Sequence, residues 1–503
     1  MTPRIQPLSQ LLSTYLPERQ LGLLTELSVA GICLDSRQVA DGDLFMALAG
    51  TQVDGRQFID DAIAAGAVAV VAQTEEAVPT LEWRNKVAVV GLPSLAQQAG
   101  SIVSAFYGNP SHALNIYGVT GTNGKTSCSH YLAQILESLG VRCGVMGTLG
   151  LGFIGNLQSS LNTTADLVTT HRFMAELVDA GVLNLSMEAS SHGLEQGRTS
   201  GVGFTTAIFT NLTRDHLDYH GSMEEYARAK AMLFSTPSLK YAVINEDDRY
   251  ASLMKTQLRN GVEALGYSLR PGTADIYPRD VQFLAEGIRA ILVTPWGEVE
   301  LNTPLLGAFN LANLIAVIGA LGLQGYPLND LLQAANSLKA VDGRMQRFGG
   351  GGRPLVIVDY AHTPDALESL LAAVATHCEG RVTCLFGCGG DRDPGKRPLM
   401  LKAALKGAGS VIVTSDNPRS EDPEQIIADV LLGADEAARS RTLSMGDRAA
   451  AIAAAVSTAS PQDIVVVAGK GHEAYQEIKG VRYPFSDQQQ VELALQQWQG
   501  AQS

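Results

Sequence analysis

Short apolar runs alternate along this chain with longer segments whose apolar residues recur every three or four positions. The runs at 42–50, 67–73, 141–149, 182–189, 205–211 and 241–245 are typical of buried strands. Segments of helical period lie between them, for example at 58–66. Strands that alternate with helices in this way predict an α/β protein with doubly wound, mostly parallel sheets.

The clearest helix begins at Lys125. One of its faces is apolar at the helical period, and Gly140 is a typical C-terminal stop. The apolar positions are Cys128, Tyr131, Leu132, Ile135, Leu136 and Leu139.

The pattern changes at several points, which divides the chain. Residues 91–112 predict a linker helix, 275–306 an antiparallel insertion, and 308–322 a helix. From about 342 a fresh series of strands and helices predicts a Rossmann-like sheet without the G-x-G-x-x-G turn of dinucleotide-binding proteins. A length of 503 residues fits about three domains. We predict them at 1–94, 95–341 and 342–503.

Charge and composition restrict the partners. A net charge of −14 argues against a nucleic-acid partner. The longest apolar run, 62–72, is too short to cross a bilayer, and the first twenty residues lack the apolar stretch of a signal peptide. The six cysteines are scattered and form no zinc set, as expected of reduced thiols. We therefore expect a cytoplasmic monomer without a membrane partner.

Residues 118–127, GVTGTNGKTS, predict a phosphate loop between a strand and a helix. Backbone amides from Gly121 onward can face phosphate oxygens, Lys125 can neutralise them, and Thr126 can bind Mg²⁺. Val119 stands where the usual spacing has glycine, so we expect Gly118 and Gly121 to take the permissive backbone conformations. The alternative is a glycine-rich turn with a surface lysine. The loop alone does not distinguish a GTPase, a kinase and a ligase.

Three polar clusters, 161–167, 187–198 and 210–221, follow predicted strands, where open α/β sheets bind ligands. Glu188 directly follows an apolar strand and is a candidate second protein ligand for Mg²⁺, or an ordinary strand-end residue. His216 lies among charged residues and could equally be a surface side chain. Lys230 falls in a predicted helix, where lysines are nearly always solvated, so the residues alone give it no role.

The third region carries four polar loops at strand ends: 358–367, 387–397, 414–426 and 467–476. Each could be a solvated loop, but four at successive strand ends predict one shared binding site. Its candidate side chains are Arg392, Asn417, Arg419, Lys470, His472 and Glu473.

Eight motifs of this chain together resemble those of the Mur ligases of peptidoglycan synthesis. They occur in the same order and over essentially the whole chain. They are GVTGTNGKTS, EASSHGL, TNLTRDHLDYHG, the Gly307–Phe309–Asn310–Asn313 pattern, Gly343-Arg344-Met345, DYAHTPD, GCGGDRD and GKGHE. The loop SDNPRSEDP is similar to the form that selects meso-2,6-diaminopimelate.

The resemblance implies a three-domain ligase that uses ATP and Mg²⁺, with two ions expected. It would join meso-2,6-diaminopimelate to UDP-N-acetylmuramoyl-L-alanyl-D-glutamate through an acyl phosphate. The first domain would hold the UDP end, the central domain ATP, and the last domain the incoming amino acid.

The family's site residues map onto this chain as follows. The implied ATP contacts are Gly121, Thr122, Asn123, Gly124, Lys125, Thr126, Ser127, Asn310, Arg344 and Asp359. The implied UDP-dipeptide contacts are Leu34, Ser36, Thr51, Gln52, Val53, Asn162, Thr163, Thr164, Ser190, Gln196 and Arg198. The implied diaminopimelate contacts are Arg392, Asp416, Asn417, Pro418, Arg419, Gly469 and Glu473. The resemblance makes Lys230 a carbamate that binds metal with His216, Thr126 and Glu188, and it makes Lys125, Lys230, Glu188 and His216 catalytic.

Three alternatives differ in substrate or class. A lysine-adding homologue is disfavoured by the DNPR sequence, and a folylpolyglutamate synthase by the apparent UDP-binding domain at 1–94. An ATP-binding switch or scaffold would not need the polar strand-end loops of a separate third domain.

Overall fold

A computed structural model describes residues 4–50, 53–160 and 162–500. The chain forms two compact units, which are described separately. One extends to Tyr267 and includes Gly319–Gly325; the other comprises Ser268–Ile318 and the chain from Tyr326 onward. The predicted α/β class is confirmed, whereas the division into three domains at 94/95 and 341/342 stays a prediction.

The N-terminal part of the first unit contains a five-stranded sheet. Before it lie a two-stranded sheet and two short helices: β1 Gln6–Pro7, α1 Leu8–Leu11, α2 Glu18–Leu21 and β2 Ser28–Val29. The strands of the sheet are β3 Gly31–Cys33, β4 Asp43–Ala47, β5 Ala69–Thr74, β6 Thr80–Arg84 and β7 Val87–Pro93. Helix α3 Ile59–Ala64 lies between β4 and β5 in the chain, and α4 Leu95–Phe106 follows β7. The order is β3-β4-β5-β7-β6, with β6 antiparallel and the others parallel. The predicted linker helix starts later than expected, because residues 91–93 complete β7.

An eight-stranded sheet carries the phosphate loop. Its strands are β8 Asn115–Thr120, β9 Gly144–Gly147, β10 Gly150–Phe153, β11 Asn156–Gln158, β12 Asn184–Glu188, β13 Thr206–Phe209, β14 Tyr241–Asn245 and β15 Glu263–Tyr267. The helices are α5 Lys125–Ser138, α6 Leu167–Asp179, α7 Ser191–Glu195, α8 Leu217–His220, α9 Met223–Ala231 and α10 Ala251–Thr256. The order is β11-β10-β9-β12-β8-β13-β14-β15, and only the β9-β10-β11 edge is antiparallel.

Helix α5 confirms the predicted apolar face. Five of the six predicted positions are completely buried: Cys128, Tyr131, Leu132, Ile135 and Leu136. Gly140 has a φ of 76° just beyond the helix, a conformation that glycine adopts without strain.

The second unit starts with the predicted antiparallel insertion. The insertion consists of β16 Tyr277–Leu284, β17 Gly287–Thr294 and β18 Gly297–Thr303. The helices α11 Ala308–Leu323 and α12 Leu328–Ala335 follow it, and the residues of α11 from Gly319 onward belong to the first unit.

A six-stranded sheet with helices on both faces completes this unit. Its strands are β19 Gln346–Gly349, β20 Leu355–Asp359, β21 Val382–Phe386, β22 Ser410–Thr414, β23 Thr442–Met445 and β24 Ile464–Ala468, in the order β19-β20-β24-β21-β22-β23 with β19 antiparallel. The hairpin β25 Tyr475–Ile478 and β26 Val481–Pro484 stands apart. The helices are α13 Pro364–Ala375, α14 Lys396–Gly407, α15 Pro423–Leu431, α16 Glu436–Arg439, α17 Arg448–Ser457 and α18 Asp487–Gln497.

Within the described ranges, no helix combines the length and the apolar character needed to cross a bilayer.

Candidate active site

The phosphate-loop segment lies between β8 and α5, as predicted. Gly121 and Gly124 have φ angles of 151° and 88°, which favour glycine. Gly118 lies inside β8, where an added methyl group would come within 2.7 Å of the Phe204 ring. The expectation that Gly118 takes a permissive backbone conformation is therefore wrong, because close packing, not φ, requires glycine there.

The groups predicted to meet ATP lie in this loop and the first turn of α5. Lys125 Nζ donates to the carbonyl oxygens of Gly121 and Thr122 at 2.9 and 2.8 Å. Thr126 and Ser127 are buried. Backbone N–H groups at a helix N-terminus favour anions, so residues 121–127 can hold a phosphate.

Residues 210–213, which follow β13, brace the loop. The N–H of Thr122 donates to the carbonyl oxygen of Asn211 at 2.8 Å, and the N–H of Asn123 donates to Asn211 Oδ1 at 3.0 Å. Thr210 Oγ1 donates to the carbonyl oxygen of Asn123 at 2.6 Å. Because β13 and β8 are parallel neighbours, the loop and its brace leave the same edge of the sheet.

Lys230 lies on α9 and is only 1% exposed. Its Nζ donates to the carbonyl oxygen of Gly121 at 2.8 Å and lies 4.4 Å from the centre of the Tyr226 ring. Burial lowers the pKa of Lys230 well below its usual value; the charge of Lys125 adds to this and that of Asp215 opposes it. The expectation of a solvated helical lysine is wrong.

Glu188 ends β12, and its side chain is completely buried. Its Oε1 accepts from the N–H of Thr148 at 2.9 Å, and its Oε2 accepts from the hydroxyl of Thr148 at 3.1 Å. Gly147 leaves room for this carboxylate, because an added methyl group would collide with Oε1. Within the described chain, no lysine, arginine or histidine forms an ion pair with Glu188. A buried carboxylate with only neutral partners fits a place beside a metal ion.

His216 caps α8 with a φ of 51°, and its side chain is half-exposed. Its Nε2 lies 3.4 Å from Asp215 Oδ2, and its ring centre lies 4.9 Å from that of His192 and 6.1 Å from that of Tyr226. In the part of the chain that the structure describes, no three His, Cys, Asp or Glu side chains are arranged to hold a metal ion.

Residues predicted to bind the sugar and peptide are bonded to one another at the ends of β12 and α7. Thr164 Oγ1 donates to the carbonyl oxygen of Glu188 at 2.9 Å and accepts from the N–H of Ser190 at 2.9 Å. The guanidinium of Arg198 donates to the carbonyl oxygen of Thr164 at 3.1 Å and to Gln196 Oε1 at 2.6 Å.

Thr163 and Asn162, which precede Thr164 in the chain, differ in their contacts. Thr163 Oγ1 lies 3.2 Å from the hydroxyl oxygen of Thr148, the residue that donates to Glu188. Asn162 is exposed beside it.

The predicted uridine contacts follow strands β3 and β4, which are parallel neighbours. Leu34 comes directly after β3, Ser36 begins a single 3-10 turn, and Val53 is exposed in the loop after β4. Thr51 and Gln52 lie outside the described residues.

Three predicted ATP contacts belong to the second unit. Asp359 ends β20 and accepts from the N–H groups of Met345 and Ala361 at 2.8 and 2.7 Å. Burial raises the pKa of Asp359, although Arg344 opposes this. Asn310 Nδ2, in the first turn of α11, donates to the carbonyl oxygen of Leu306 just before the helix at 2.9 Å.

Arg344 has an unusual environment. Its guanidinium stacks on the Tyr360 ring at 4.9 Å, and among the described residues its buried Nε has no hydrogen-bond partner. An unpaired buried donor beside an aromatic ring fits a planar or anionic ligand group.

The loops after β22 and β24 converge as predicted. Asn417 Nδ2 donates to Glu473 Oε2 at 2.8 Å, and Asn417 Oδ1 accepts from Lys470 Nζ and from the N–H of Glu477 at 3.1 and 2.9 Å. Gly469 has a φ of 115°, and an added methyl group there would lie 2.9 Å from Asp416 Oδ2.

Arg419 and Arg392 both lie near Gly389, where an added methyl group would be 3.1 Å from Arg419 Nη1 and 3.9 Å from Arg392 Cγ. Arg419 has a φ of 51°, and its guanidinium donates to the carbonyl oxygen of Gly390 at 2.6 Å. The hairpin holds its backbone, since its N–H donates to the carbonyl oxygen of Glu477 at 2.9 Å. Pro418 is buried. Arg392 is exposed and Arg419 is half-buried, so the guanidinium groups of both arginines can face a ligand carboxylate.

A buried ion pair fixes the strands beneath these loops. Arg448 Nε and Nη2 donate to the two carboxylate oxygens of Asp487, each at 2.7 Å. Arg448 also donates to the carbonyl oxygens of Ser415 and Ala468 at 3.3 and 3.0 Å.

The sequence analysis missed several positioning residues: Thr148, Thr210, Asn211, Tyr226, Arg448 and Asp487. A signal existed for Thr210 and Asn211, because their strand end neighbours the loop's strand. The Arg448–Asp487 pair joins positions 39 residues apart, which no local pattern indicates.

Comparison with known families matches three successive stretches. Residues 28–107 match the Mur ligase family catalytic domain, 119–321 the Mur ligase middle domain, and 343–471 the Mur ligase glutamate ligase domain.

Similar proteins extend over nearly the whole chain. The UDP-N-acetylmuramoyl-L-alanyl-D-glutamate--2,6-diaminopimelate ligase of Ectopseudomonas mendocina is 50% identical over 98% of this chain and 99% of its own. A solved structure with the same protein name is 43% identical, with a TM-score of 0.73 over 94% of this chain and 96% of its own. Folylpolyglutamate synthase of Mycobacterium tuberculosis, complexed with ADP, shares the fold at 18% identity and a TM-score of 0.60, over 77% of this chain and 93% of its own.

Proposed function

This chain belongs to the Mur ligase family, and we propose that it is the ATP-dependent ligase that joins meso-2,6-diaminopimelate to UDP-N-acetylmuramoyl-L-alanyl-D-glutamate. The observation that carries the proposal is the 50% identity to a named diaminopimelate ligase along almost the full length of both chains. The two arginines beside an acid–amide–lysine cluster support the choice of amino acid.

The chain is an enzyme of small-molecule substrates that uses ATP, as its family and the ADP-bound relative in fold indicate. In the proposed reaction the D-glutamyl carboxylate attacks the γ-phosphate, an acyl phosphate forms and ADP leaves. The amine of diaminopimelate then attacks the acyl carbon, and the tetrahedral intermediate expels phosphate. Phosphorylation is needed because a carboxylate is a poor electrophile.

Two anions meet in the first step, so positive charge must stand beside them. We propose that Lys125 turns from the loop carbonyls of Gly121 and Thr122 to the phosphates. Thr164, Ser190 and Arg198 would hold the peptide end of the acceptor, with Asn162, Thr163 and Gln196 around it.

Two Mg²⁺ ions, when bound, would screen the phosphate charges. Thr126 and Glu188 offer the oxygen donors that Mg²⁺ prefers, and the buried carboxylate of Glu188 has only neutral partners. We propose that the second Mg²⁺ ion would be bound by His216 and by Lys230, of which Lys230 is modified to a carbamate.

The burial of Lys230 supports carbamylation. The lowered pKa favours the neutral amine, whose lone pair can form a bond to the carbon of CO₂ while a proton leaves to solvent. The product carries a carboxylate at the end of the long lysine side chain.

Recognition of diaminopimelate rests on its second carboxylate, which lysine lacks. Arg419 and Arg392 would bind that carboxylate through their planar guanidinium groups. Lysine would offer them no such carboxylate, so these charge-assisted contacts would be lost.

We also propose that the enzyme works as a monomer in the cytoplasm, where ATP and UDP-linked precursors occur. All six cysteines are free thiols, which fits a reducing compartment.

Phosphate release with single omissions tests this function. A ligase releases phosphate only when ATP, the UDP-linked acceptor and diaminopimelate are all present. Slow release from ATP alone, unchanged by the acceptor and the amino acid, would instead indicate a switch. Release that requires a folate acceptor would indicate a folylpolyglutamate synthase.

A further inference from the structure

Lys470 is completely buried beneath the loops that carry the proposed diaminopimelate contacts. Its Nζ lies 3.4 Å from Asp416 Oδ1, 3.1 Å from Asn417 Oδ1 and 3.2 Å from Glu473 Oε2. An ammonium has three N–H donors, so these three acceptors use all of them. Lys470 is therefore not available to bind a substrate carboxylate.

Lys470 carries one positive charge and contacts two carboxylates, beside the loops that carry Arg419. The nearby Arg448 and Asp487 neutralise each other as a buried pair. Lys470 then stands against two carboxylates, Asp416 and Glu473.

Each carboxylate uses one oxygen on Lys470 and keeps the other. Asp416 Oδ2 lies alongside Gly469, where an added methyl group would come within 2.9 Å. Glu473 bonds both Lys470 and Asn417 through Oε2, which leaves Oε1. Asp416 Oδ2 and Glu473 Oε1, the two oxygens of the proposed ammonium subsite, are thus able to accept from a ligand.

We infer that Lys470 is a positioning residue that sets the charge of this subsite, so that Asp416 and Glu473 together bind the distal ammonium of diaminopimelate. The inference rests on the proposed function. Without Lys470, two carboxylates would share one buried place and repel each other. Both lone-pair positions of Asn417 Oδ1 are used within the protein, so Asn417 would contact diaminopimelate through its amide N–H.

This role predicts a defect specific to one part of the substrate. L-2-Aminopimelate keeps the attacking amine and the distal carboxylate but lacks the distal amine. The parent enzyme should prefer diaminopimelate to it by kcat/KM. Lys470→Met should reduce that preference by about 30-fold, because the partner carboxylates are left without their buried cation.

Charge rescue separates this role from simple packing. In Lys470→Met/Asp416→Asn one carboxylate again stands alone, so we expect about a tenfold recovery of the preference over Lys470→Met, the larger part of its loss. Lys406→Met, which removes an exposed ion pair with Glu368, is the matched control and should leave the preference unchanged.

The experiment measures kcat/KM for both amino acids, and KM for ATP and the acceptor, in the parent and all three variants. Equal losses on the two amino acids, or a double variant no better than Lys470→Met, would overturn the inference. If Lys470→Met does not fold, the double variant carries the test, and its failure to fold also counts against charge balance as the role. A parent enzyme that is inactive with diaminopimelate would instead refute the proposed function.

Discussion

The Nζ of Lys230 lies 2.8 Å from the carbonyl oxygen of Gly121, which joins helix α9 to the phosphate loop across 109 positions of the chain. The lysine is therefore held at the loop where the phosphates are proposed to bind. Its amine is buried against Tyr226, whose hydroxyl in turn lies 3.2 Å from Thr122 Oγ1 of the same loop.

Removal of the Lys230 side chain should abolish most activity and leave a space that a small acid can fill. We expect Lys230→Ala to lower kcat by about 100-fold or more, the scale of losing one charged group that stabilises the transition state. Acetate or formate should restore part of the rate by supplying the missing carboxylate. Lys240→Ala, at an exposed position, is the control. A Lys230→Ala enzyme with nearly full activity would contradict this role.

Carbamate occupancy at Lys230 should increase with pH. Only the neutral amine reacts with CO₂, and burial lowers the pKa of Lys230, so at a given pH more of this amine is neutral than in an ordinary exposed lysine. Isotope-labelled bicarbonate and carbon NMR measure the occupancy from about pH 6 to about pH 9. Lys230→Arg should show no such signal. A parent protein without label at any pH would refute the carbamate.

Gly147 should control the carboxylate of Glu188 without binding anything itself. In Gly147→Ala the added methyl group collides with Glu188 Oε1, so the carboxylate must move. We expect the Mg²⁺ concentration for half-maximal activity to rise about 10–100-fold, as for other changes to groups that orient a metal ligand. Gly22→Ala is the matched control, because its φ is −59° and an added methyl group there makes only ordinary contacts at 3.6 and 3.7 Å. An unchanged Mg²⁺ requirement in Gly147→Ala would separate Glu188 from the metal.

The pattern of apolar runs was sufficient to predict the α/β class, the antiparallel insertion and most strands. It failed where a long-range contact decides the outcome. Lys230 is buried because Gly121 and Tyr226 meet it in space, whereas helical periodicity describes only its own helix. Gly118 is required by the Phe204 ring, which comes from a different part of the chain.

The candidate site shows the same limit: the sequence predicted where its loops lie but not the side-chain bonds between them. Strand-end loops could be placed at one edge because parallel strands end together, and the contacts among Asn417, Lys470 and Glu473 agree with that expectation. The bonds that use up the donors of Lys470 depend on side-chain geometry, which the sequence does not contain.

The Arg448–Asp487 pair should dominate the stability of the second unit. Both side chains are completely buried, so Arg448→Met leaves an uncompensated carboxylate and should destabilise by about 3–5 kcal/mol. Arg448→Met/Asp487→Leu should recover most of that loss, since neither charge is left unpaired. Urea unfolding followed by a probe in the second unit measures both. Equal destabilisation by the single and double variants would show that packing, not charge, is what the pair provides.

Competition between the two amino acids tests the central claim most directly. The enzyme is given ATP, UDP-N-acetylmuramoyl-L-alanyl-D-glutamate and equal concentrations of meso-diaminopimelate and L-lysine, and the products are separated by mass. The account predicts that nearly all product carries diaminopimelate and that Arg419→Ala moves the ratio toward lysine. A parent enzyme that joins lysine as readily, or an Arg419→Ala enzyme that discriminates as well as the parent, would contradict it.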